Sequence, residues 1–420
     1  MGMIYTSGTT GNPKGVILSH SNLIFECSIV IPLLGMTKDV RTLAFLPWAH
    51  VFGQVAEVHG IIGCGGSAGL VDDVNTLIEE LGVVKPSVFF AVPRVYNRIY
   101  DRLREQMKEK PGFIRALFYG GLKQARRERE GETLGFMDNL ILTLARKIIF
   151  KKILNRFGGN LRIAVSGASA LSPAVAEFVN DIGISIYEGY GLSENTAALS
   201  LNYPGVRRFG SVGKPLPGVR IEIDKTVEGS KEEDGEVLAY GENIMLGYHN
   251  LPDKTKESIT EEGGLRTGDL GHLDADGYLY ITGRVKEQYK LENGKYVAPA
   301  PLEESLKLSA YIDQVLLYGF NRPHNVALIV AAMPAVEKFA EGLGISGSSE
   351  SILSEPRIRQ LFKEQLEHYG KDFKGFEHPH NFALLSEEWD IDNGLLTPTL
   401  KLKREVVEEQ FKTQIDELFS

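Results

Sequence analysis

The residues best suited to chemistry come at the beginning of the chain, in the run Tyr5-Thr6-Ser7-Gly8-Thr9-Thr10-Gly11-Asn12-Pro13-Lys14-Gly15. Hydroxyl groups can donate hydrogen bonds to phosphate oxygens, glycines let backbone N–H groups approach an anion closely, and a lysine supplies a mobile positive charge. The run therefore predicts a phosphate-binding loop. Its candidate phosphate ligands are Thr6, Ser7, Gly8, Thr9, Thr10 and Lys14.

This loop differs from that of the nucleoside triphosphatases, which ends in Gly-Lys-Ser/Thr and opens a helix. Here Pro13 precedes Lys14, and Gly15 and the run Val16-Ile17-Leu18 follow it. β-Branched and apolar residues favour strands, so we expect the loop to connect two short strands. An ordinary hairpin turn favours the same residue types and is the alternative.

The order Thr-Ser-Gly-Thr-Thr-Gly-x-Pro-Lys-Gly resembles the signature of the adenylate-forming superfamily at every fixed position. The resemblance implies binding of ATP with Mg²⁺ and activation of a carboxylate as an acyl-AMP. It also implies a nucleotide pocket, an acyl pocket and a lid elsewhere in the chain.

The segment Tyr187-Glu188-Gly189-Tyr190-Gly191-Leu192-Ser193-Glu194 combines glycines with an aromatic ring and a carboxylate. A tyrosine ring can stack on adenine, and a carboxylate near a triphosphate can hold Mg²⁺. The segment resembles the Tyr-Gly-x-Thr/Ser-Glu motif of the superfamily. This implies that Tyr190 and Gly191 lie beside adenine, Ser193 near the phosphates, and Glu194 on Mg²⁺ as a catalytic residue.

Two more segments resemble nucleotide-binding parts of the superfamily. In Ser166-Gly167-Ala168-Ser169, Gly167 and Ala168 match the turn that lines adenine, although small residues also suit tight packing. Thr-Gly-Asp followed fifteen residues later by an arginine matches the ribose clamp, which implies that Asp269 and Arg284 bind the ribose.

The lysines beyond Arg284 complete the resemblance. Lys286 matches the hinge about which the family's small domain rotates, and Lys290 and Gly294 match the segment brought to the site for the thioester step. Lys401 matches the catalytic lysine. A cation there would stabilise the charge that develops when a carboxylate attacks the α-phosphate.

The substrate class is suggested by Leu46-Pro47-Trp48-Ala49-His50-Val51-Phe52-Gly53-Gln54, which resembles the segment bordering the acyl pocket. Trp48, His50, Phe52 and Gly53 are the expected lining residues. With the basic insertion and the segment 289–299, this segment looks like the long-chain fatty acyl-CoA synthetases. The resemblance extends from Tyr5 to Arg404 and implies a fatty acid-CoA ligase that uses ATP, Mg²⁺ and CoA.

Two alternatives remain open. An enzyme of the same superfamily could pass its acyl group to a carrier protein, and an inactive relative could retain ATP or lipid binding. Joint retention of Glu194, Asp269, Arg284 and Lys401 speaks against decay.

Up to about residue 280, apolar strand-like runs at 3–6, 42–47, 88–92, 161–166 and 184–187 alternate with helical patterns that follow Ser19/Ser21, Asp73, Pro93 and Ser172-Pro173. This alternation predicts an α/β fold with mainly parallel sheets flanked by helices. Glycine turns and short strands then predict a small β-rich subdomain at about 205–283. We expect a large domain over 1–283, including a basic helical insertion at about 102–156. A mobile α+β lid should follow over 284–420. Its glycine- and serine-rich stretch 342–354 suggests a flexible loop.

The net charge of −9 argues against a nucleic-acid partner, but the charge is unevenly distributed. Residues 94–156 contain 16 Lys/Arg and 7 Asp/Glu, a balance of +9 that leaves −18 elsewhere. Helices there interleave basic and apolar residues, which suits a membrane surface or a CoA phosphate. A solvated helical hairpin is the alternative.

The sequence shows neither a signal peptide nor a run of apolar residues long enough to span a bilayer, and it has only two cysteines. We therefore expect a cytoplasmic protein with reduced thiols, and peripheral attachment at the inner membrane surface is the alternative. The oligomeric state is not readable. Family members carry about 150 residues before the opening loop, so we expect a fragment or a shortened form whose activity is reduced.

Overall fold

The computed structural model describes residues 2–6, 13–72, 76–228, 230, 233–397 and 402–420. Strands and helices alternate through the first half of the chain, as the sequence predicts. These elements are β1 (Gly2–Thr6), β2 (Lys14–Leu18), α1 (His20–Leu33), β3 (Arg41–Ala44), α2 (Val51–Gly53), α3 (Gly60–Cys64), β4 (Ser67–Leu70), α4 (Leu77–Val84), β5 (Val88–Ala91), α5 (Pro93–Lys108), α6 (Gly112–Arg129), α7 (Phe136–Ala145), α8 (Lys151–Arg156), β6 (Ile163–Ser166), α9 (Pro173–Asp181) and β7 (Ser185–Tyr190).

Two π-helical segments interrupt longer helices. Gln54–His59 joins α2 to α3, and Arg146–Phe150 joins α7 to α8. Each set therefore forms one continuous helix, over 51–64 and over 136–156. π-Helical segments are rare and occur often at functional sites.

The predicted strands at 3–6, 42–47, 88–92, 161–166 and 184–187 are all confirmed as β1, β3, β5, β6 and β7. The predicted helix starts are confirmed at Ser19, which accepts the Asn22 N–H as cap of α1, and at the prolines that open α5 and α9. Asp73 lies outside the described residues, and α4 begins at Leu77.

The α/β class is confirmed, and the sheets are mixed. β3 pairs with β4 in parallel, and β5, β6 and β7 are parallel neighbours. The end of β7 then turns to antiparallel pairing with β8 (Ser200–Leu201), which pairs with β9 (Lys214–Pro215). The segment Tyr187–Glu194 therefore begins in a parallel part of the sheet and continues where β7 pairs antiparallel with β8.

The next part of the chain is rich in β-structure. Its elements are β10 (Arg220–Asp224), β11 (Gly235–Tyr240), β12 (Gly247–Tyr248), α10 (Pro252–Ser258), β13 (Leu265–Leu273) and β14 (Leu279–Arg284). Four of the strands form an antiparallel sheet in the order β10-β11-β13-β14. β12 instead pairs with β2. This pairing attaches a distant strand to the opening loop.

The remaining residues form an α+β unit around the three-stranded sheet β17-β18-β19. Its elements are β15 (Tyr289–Lys290), β16 (Tyr296–Val297), α11 (Pro299–Leu306), β17 (Ile312–Tyr318), β18 (Asn325–Ala331), α12 (Met333–Gly342), α13 (Ser349–Ser354), α14 (Pro356–Gly370), β19 (Pro379–Leu385), α15 (Arg404–Gln410) and α16 (Lys412–Glu417). The loop predicted over 342–354 is confirmed only at 343–348, because Gly342 ends α12 and Ser349–Ser354 form α13. Ser348 accepts the Ser351 N–H and caps α13, so the serines begin a helix.

Separate hydrophobic cores lie under these parts. The helices of the first half pack on β5 to β7 around Phe89, Phe118 and Phe150, and a second core centres on Ile329 and Phe362. Across the described residues, no helix combines the length and the apolar character needed to span a bilayer. Cys27 and Cys64 are free thiols, both half-buried.

Candidate functional site

The opening loop connects antiparallel strands, as predicted. Thr6 at the end of β1 lies opposite Lys14 at the start of β2. Ser7, Gly8, Thr9 and Thr10 fall outside the described residues. The Lys14 ammonium lies over the ring of Tyr248, 4.8 Å from its centroid, which holds the cation beside the loop.

Tyr248 also contacts the predicted Mg²⁺ ligand. Its hydroxyl donates to Glu194 Oε1 at 2.8 Å. Burial raises the pKa of this tyrosine, and the Glu194 charge adds to the effect. Because Tyr248 lies on β12, next to β2, it connects Lys14 to Glu194 through one side chain.

The turn after Glu194 has a strained backbone. Thr196 and Ala197 adopt positive φ angles of 64° and 101°. For residues with a Cβ such angles are unfavourable, so the surroundings must stabilise them. The Thr196 hydroxyl donates to the Asn243 carbonyl at 2.8 Å, and the Ala198 N–H donates to Glu26 Oε1 at 2.9 Å.

Glu26 is a buried carboxyl on α1, with 1% of its surface exposed. Burial raises its pKa well above the ordinary value, against the lowering effect of the Ala198 N–H. The side chain therefore positions the turn that carries Glu194, and it also lines the cavity described below.

The predicted ribose clamp is assembled by β13 and β14. Asp269 lies opposite Arg284 in the strand register, and Arg284 Nε is 3.0 Å from Asp269 Oδ1. The other oxygen, Oδ2, accepts the Tyr190 hydroxyl at 2.7 Å. Burial raises the pKa of Tyr190, and the Asp269 charge raises it further. Gly268, at φ 71°, lies within β13 where its pairing with β11 shifts register, directly before Asp269, so the sequence-predicted glycine turn is an irregularity of a strand.

The predicted adenine turn follows β6. Ala168 has a φ of 73°. A Cβ on Gly167 would lie 3.3 Å from the ring of Phe52, so glycine lets this ring lie close to the turn. Gly191 is more constrained, because a Cβ there would lie 1.9 Å from the Ala197 carbonyl oxygen. Any side chain at Gly191 would displace the turn after Glu194.

The residues predicted for the acyl pocket separate into two groups. His50 and Phe52 line the cavity, and His50 Nδ1 accepts the Phe52 N–H at 3.2 Å. Trp48 is 45% exposed and lies outside the lining. Gly53 is buried, and a Cβ there would lie 2.6 Å from the Pro47 carbonyl oxygen, so it permits close packing of α2.

Glu57, in the π-helical segment, is a buried carboxyl behind this wall. Its Oε1 accepts the Phe45 N–H at 3.3 Å. Burial raises its pKa to about 7, opposed by the Phe45 N–H, the Trp48 side chain and the Leu46 N–H. Glu57 therefore holds the strand-to-helix connection that leads to His50.

A single cavity of about 720 Å³ connects the predicted nucleotide and acyl residues. Its polar portion is lined by Thr6, Lys14, Ser193, Glu194, Arg284 and Lys286, and Gly167, Ala168 and Gly191 also border it. Its apolar portion is lined by Val30, Ile31, Leu34, Met36, Val55, Ala56, Phe90 and Val165. Tyr190 and Asp269 stand behind this lining, connected to it through Arg284.

The lysines of the lid have different positions. Lys286 lines the cavity, directly after β14. Lys290 is exposed on β15, outside the lining, with its ammonium 5.2 Å from the centroid of the Tyr296 ring. Gly294 forms the β15–β16 turn with φ 83°. Lys401 lies outside the described residues.

Known proteins share both the motifs and this architecture. Residues 1–249 match the family described as AMP-binding enzyme. The chain belongs to the AMP-binding enzymes. The match includes the opening loop, the Tyr190–Glu194 motif and Tyr248, so these site residues lie within the family domain.

Curated relatives of this AMP-binding enzyme align over nearly all of its length. Long-chain-fatty-acid-CoA ligase 1 of Homo sapiens is 35% identical over 430 residues, covering 99% of this chain and 60% of the human protein. Long chain acyl-CoA synthetase 7, peroxisomal, of Arabidopsis thaliana is 32% identical with the same coverage. The chain spans about 60% of the length of these relatives.

Solved structures share the fold. The adenylation domain of a carboxylate reductase from Mycobacterium chelonae superimposes with a TM-score of 0.76 at 23% identity, over 99% of this chain and 59% of that one. O-succinylbenzoate coenzyme A synthetase of Bacillus subtilis, in complex with AMP, gives a TM-score of 0.66 at 21% identity. The match covers 96% of this chain and 68% of that one.

Sequence reasoning missed three side chains of this site. Tyr248 has no motif of its own, and only the pairing of β12 with β2 brings it to Glu194. A usable signal existed for Glu26, a lone carboxylate in the apolar run Leu23-Ile24-Phe25-Glu26-Cys27. Glu57 lies three residues after the segment 46–54 that was predicted to border the acyl pocket. It too is a lone carboxylate among apolar residues, in Val55-Ala56-Glu57-Val58.

Proposed function

We propose that this AMP-binding enzyme is a long-chain fatty acid-CoA ligase. The observation that carries the proposal is the continuity of one cavity from a polar portion, at Lys14 and Glu194, to an apolar portion between α1 and the helix 51–64. An activated fatty acid needs both environments at once, with its carboxylate beside the nucleotide and its chain away from water. The relatives named as long-chain ligases support the same substrate class.

In the first half-reaction a fatty acid carboxylate oxygen attacks the α-phosphorus of ATP. The new bond to phosphorus replaces the bond to the β-phosphate oxygen, and pyrophosphate leaves. Lys14, Thr6 and Ser193 line the polar portion of the cavity, and in this proposal the lysine ammonium and the two hydroxyls bind phosphate oxygens. Asp269 and Arg284 hold the ribose, and Gly167 and Ala168 line adenine. Lys401 stabilises the charge that develops as the two anions meet.

The residues present suit a magnesium ion only together with bound phosphates. In proteins Mg²⁺ is usually held by one or two carboxylates together with substrate phosphates and water. Glu194 lines the polar portion of the cavity, and no cluster of three acidic, histidine or cysteine ligands occurs among the described residues. A magnesium ion held by Glu194 would neutralise phosphate charge, and the Tyr248 hydroxyl fixes the Glu194 carboxylate by donating to its Oε1.

In the second half-reaction the sulfur of CoA attacks the acyl carbon, and AMP leaves as the thioester forms. We propose that the lid turns about Lys286 and brings the β15–β16 hairpin, with Lys290 and Gly294, to the cavity. The exposed position of Lys290 in the present arrangement is compatible with such a movement.

The first test is fatty acid-dependent exchange of labelled pyrophosphate into ATP, measured on this chain. Lys401→Ala should lower the exchange rate by about 10²-fold or more, since it removes charge stabilisation from the transition state. Lys403→Ala, two residues away, is the matched control and should retain the rate. Unchanged exchange in Lys401→Ala would contradict the role given to that lysine.

The acceptor decides between the proposed ligase and the alternative of a carrier-protein loader. With CoA as sole acceptor, the proposal requires stoichiometric acyl-CoA and AMP. Accumulation of acyl-AMP without thioester would favour the carrier-protein alternative. Binding of AMP without any exchange would favour an inactive ATP-binding relative.

A further inference from the structure

The helix 136–156 exposes a continuous apolar stripe. Its residues follow one another at spacings of three and four, the repeat of one helix face, and their exposed fractions lie between 39% and 63%. They are Met137, Leu140, Leu144 and Ile148. The opposite face of the same helix packs into the protein through Leu142, Ala145, Ile149 and Ile153. The helix is therefore apolar on two sides, and only one of them meets the core.

The neighbouring helix α6 carries a further exposed apolar side chain at one end of this hairpin. α6 packs so closely that a Cβ on Gly121 would lie 2.3 Å from the Ala145 Cβ, and the rings of Phe118 and Phe150 meet at 6.1 Å. Since the two helices run antiparallel, Phe113 at the start of α6 lies at the same end of the hairpin as Ile148. Phe113 is 72% exposed.

Three lysines occur at this end of the stripe. Lys147, Lys151 and Lys152 are all exposed, and within the described part of the chain no acidic side chain forms an ion pair with them. At the other end of the hairpin the cations are neutralised. Arg127 there pairs with Glu132 at 2.6 Å and with Asp138 at 2.9 Å.

We propose that this hairpin face, defined by Phe113, the stripe and the three lysines, docks on an anionic phospholipid bilayer. Apolar side chains beside unneutralised lysines match the boundary between acyl chains and anionic headgroups. The helix 136–156 offers a second copy no unpaired carboxylate for these lysines, since its acidic residue, Asp138, is already paired with Arg127, so a second copy fits this face less well. The proposal goes beyond the ligase function and does not depend on it.

The distribution of charge along the whole chain supports docking of the bilayer on this hairpin face. Residues 94–156 balance at +9, whereas the rest of the chain balances at −18. An anionic bilayer would repel most of the molecule and attract this segment. Binding should therefore orient the protein and should weaken as salt screens the attraction.

Flotation of the chain with lipid vesicles tests this. The vesicles consist of phosphatidylcholine alone or of equimolar phosphatidylcholine and phosphatidylglycerol. We expect binding to the anionic vesicles only. Each lysine near such a surface contributes about five-fold, so Lys147→Gln combined with Lys152→Gln should weaken binding about 30-fold. Leu144→Gln combined with Ile148→Gln should weaken it about ten-fold or more.

Matched controls change similar side chains elsewhere. Val83→Gln replaces a 78% exposed residue on α4, and Lys363→Gln replaces an exposed lysine on α14. Both should bind vesicles like the unmodified chain, and circular dichroism should show all variants folded. Equal binding to the neutral vesicles, or folded double variants that bind as the controls do, would overturn the proposal. So would a dimer that the Leu144 and Ile148 changes convert to a monomer without vesicle binding.

Discussion

Asp269 and Arg284 face each other across two antiparallel strands, with Arg284 Nε 3.0 Å from Asp269 Oδ1. The second carboxylate oxygen accepts the Tyr190 hydroxyl at 2.7 Å. The Asp269 charge is the main cause that raises the pKa of Arg284. One carboxylate thus fixes an arginine of the cavity wall and the tyrosine expected beside adenine, so the parts for ribose and adenine are positioned together.

Replacing Asp269 should therefore weaken nucleotide binding. Asp269→Asn keeps the shape of the side chain but removes its charge, and charge-assisted hydrogen bonds each contribute about 1.5–3 kcal/mol. We expect AMP to bind about 10- to 100-fold more weakly by isothermal titration calorimetry. Asp276→Asn, on an exposed turn nearby, is the control and should bind AMP normally. Equal affinity of the two variants would exclude the ribose role.

The hydroxyl of Tyr248 should matter for the metal-dependent step. Tyr248→Phe keeps the ring beneath Lys14 and removes the donor to Glu194. Loss of a hydrogen bond to a charged group predicts a fall of about 10-fold in kcat/KM for magnesium-ATP. Steady-state kinetics at varied Mg²⁺ measure it. Tyr240→Phe, on β11, provides the comparison, and the prediction fails if both variants behave alike.

The apolar portion of the cavity should set acyl length. Ala56 lies on its wall in the π-helical segment, and Ala56→Phe would occupy space that a long chain needs. Overpacking of this kind costs about 1–3 kcal/mol, so kcat/KM for palmitate should fall about 10- to 100-fold. Octanoate should be affected less. Exposed Val83→Phe is the control, and equal loss for both acids would place the acyl chain elsewhere.

Glu57 should make stability depend on pH. Burial raises its pKa from about 4.5 in the unfolded chain to about 7, so between these values the folded chain binds more protons. The contribution of Glu57 to stability is then present below pH 4.5 and lost as pH rises toward 7. Glu57→Gln removes this loss. Its unfolding free energy, relative to the unmodified chain, should rise over that window by at most about 3 kcal/mol.

Denaturant unfolding at a series of pH values measures this difference. Comparison with the unmodified chain is necessary because Glu188 and Asp181 are buried carboxyls with raised pKa values as well. Glu79→Gln, an exposed change on α4, should follow the unmodified chain at every pH. A pH-independent difference for Glu57→Gln would mean that this carboxyl does not titrate in the folded protein.

Local signals in the sequence predicted the strands that carry the motifs, because hydrophobic periodicity and turn residues act over a few neighbouring positions. They also predicted a strand at Val16-Ile17-Leu18 after the opening loop and a helix after Ser19, and both are present. The same signals predicted a loop over all of 342–354, although serines suit a helix cap as well as a loop. Only the packed position of α13 decided between them.

The sequence alone determined the chemistry of the site, since the opening loop, Glu194, Asp269 and Arg284 carry their functional groups whatever the fold. The resemblance of the Thr-Gly-Asp motif and its following arginine to the family's ribose clamp also implied that Asp269 and Arg284 belong together. The tertiary structure decided which other side chains reach them. Tyr248 comes to the site through the pairing of β12 with β2, and Glu26 reaches Ala198, 172 residues further along the chain, so local sequence does not predict these two contacts. Glu57 contacts Phe45, only 12 residues away, but its burial depends on the packing around it.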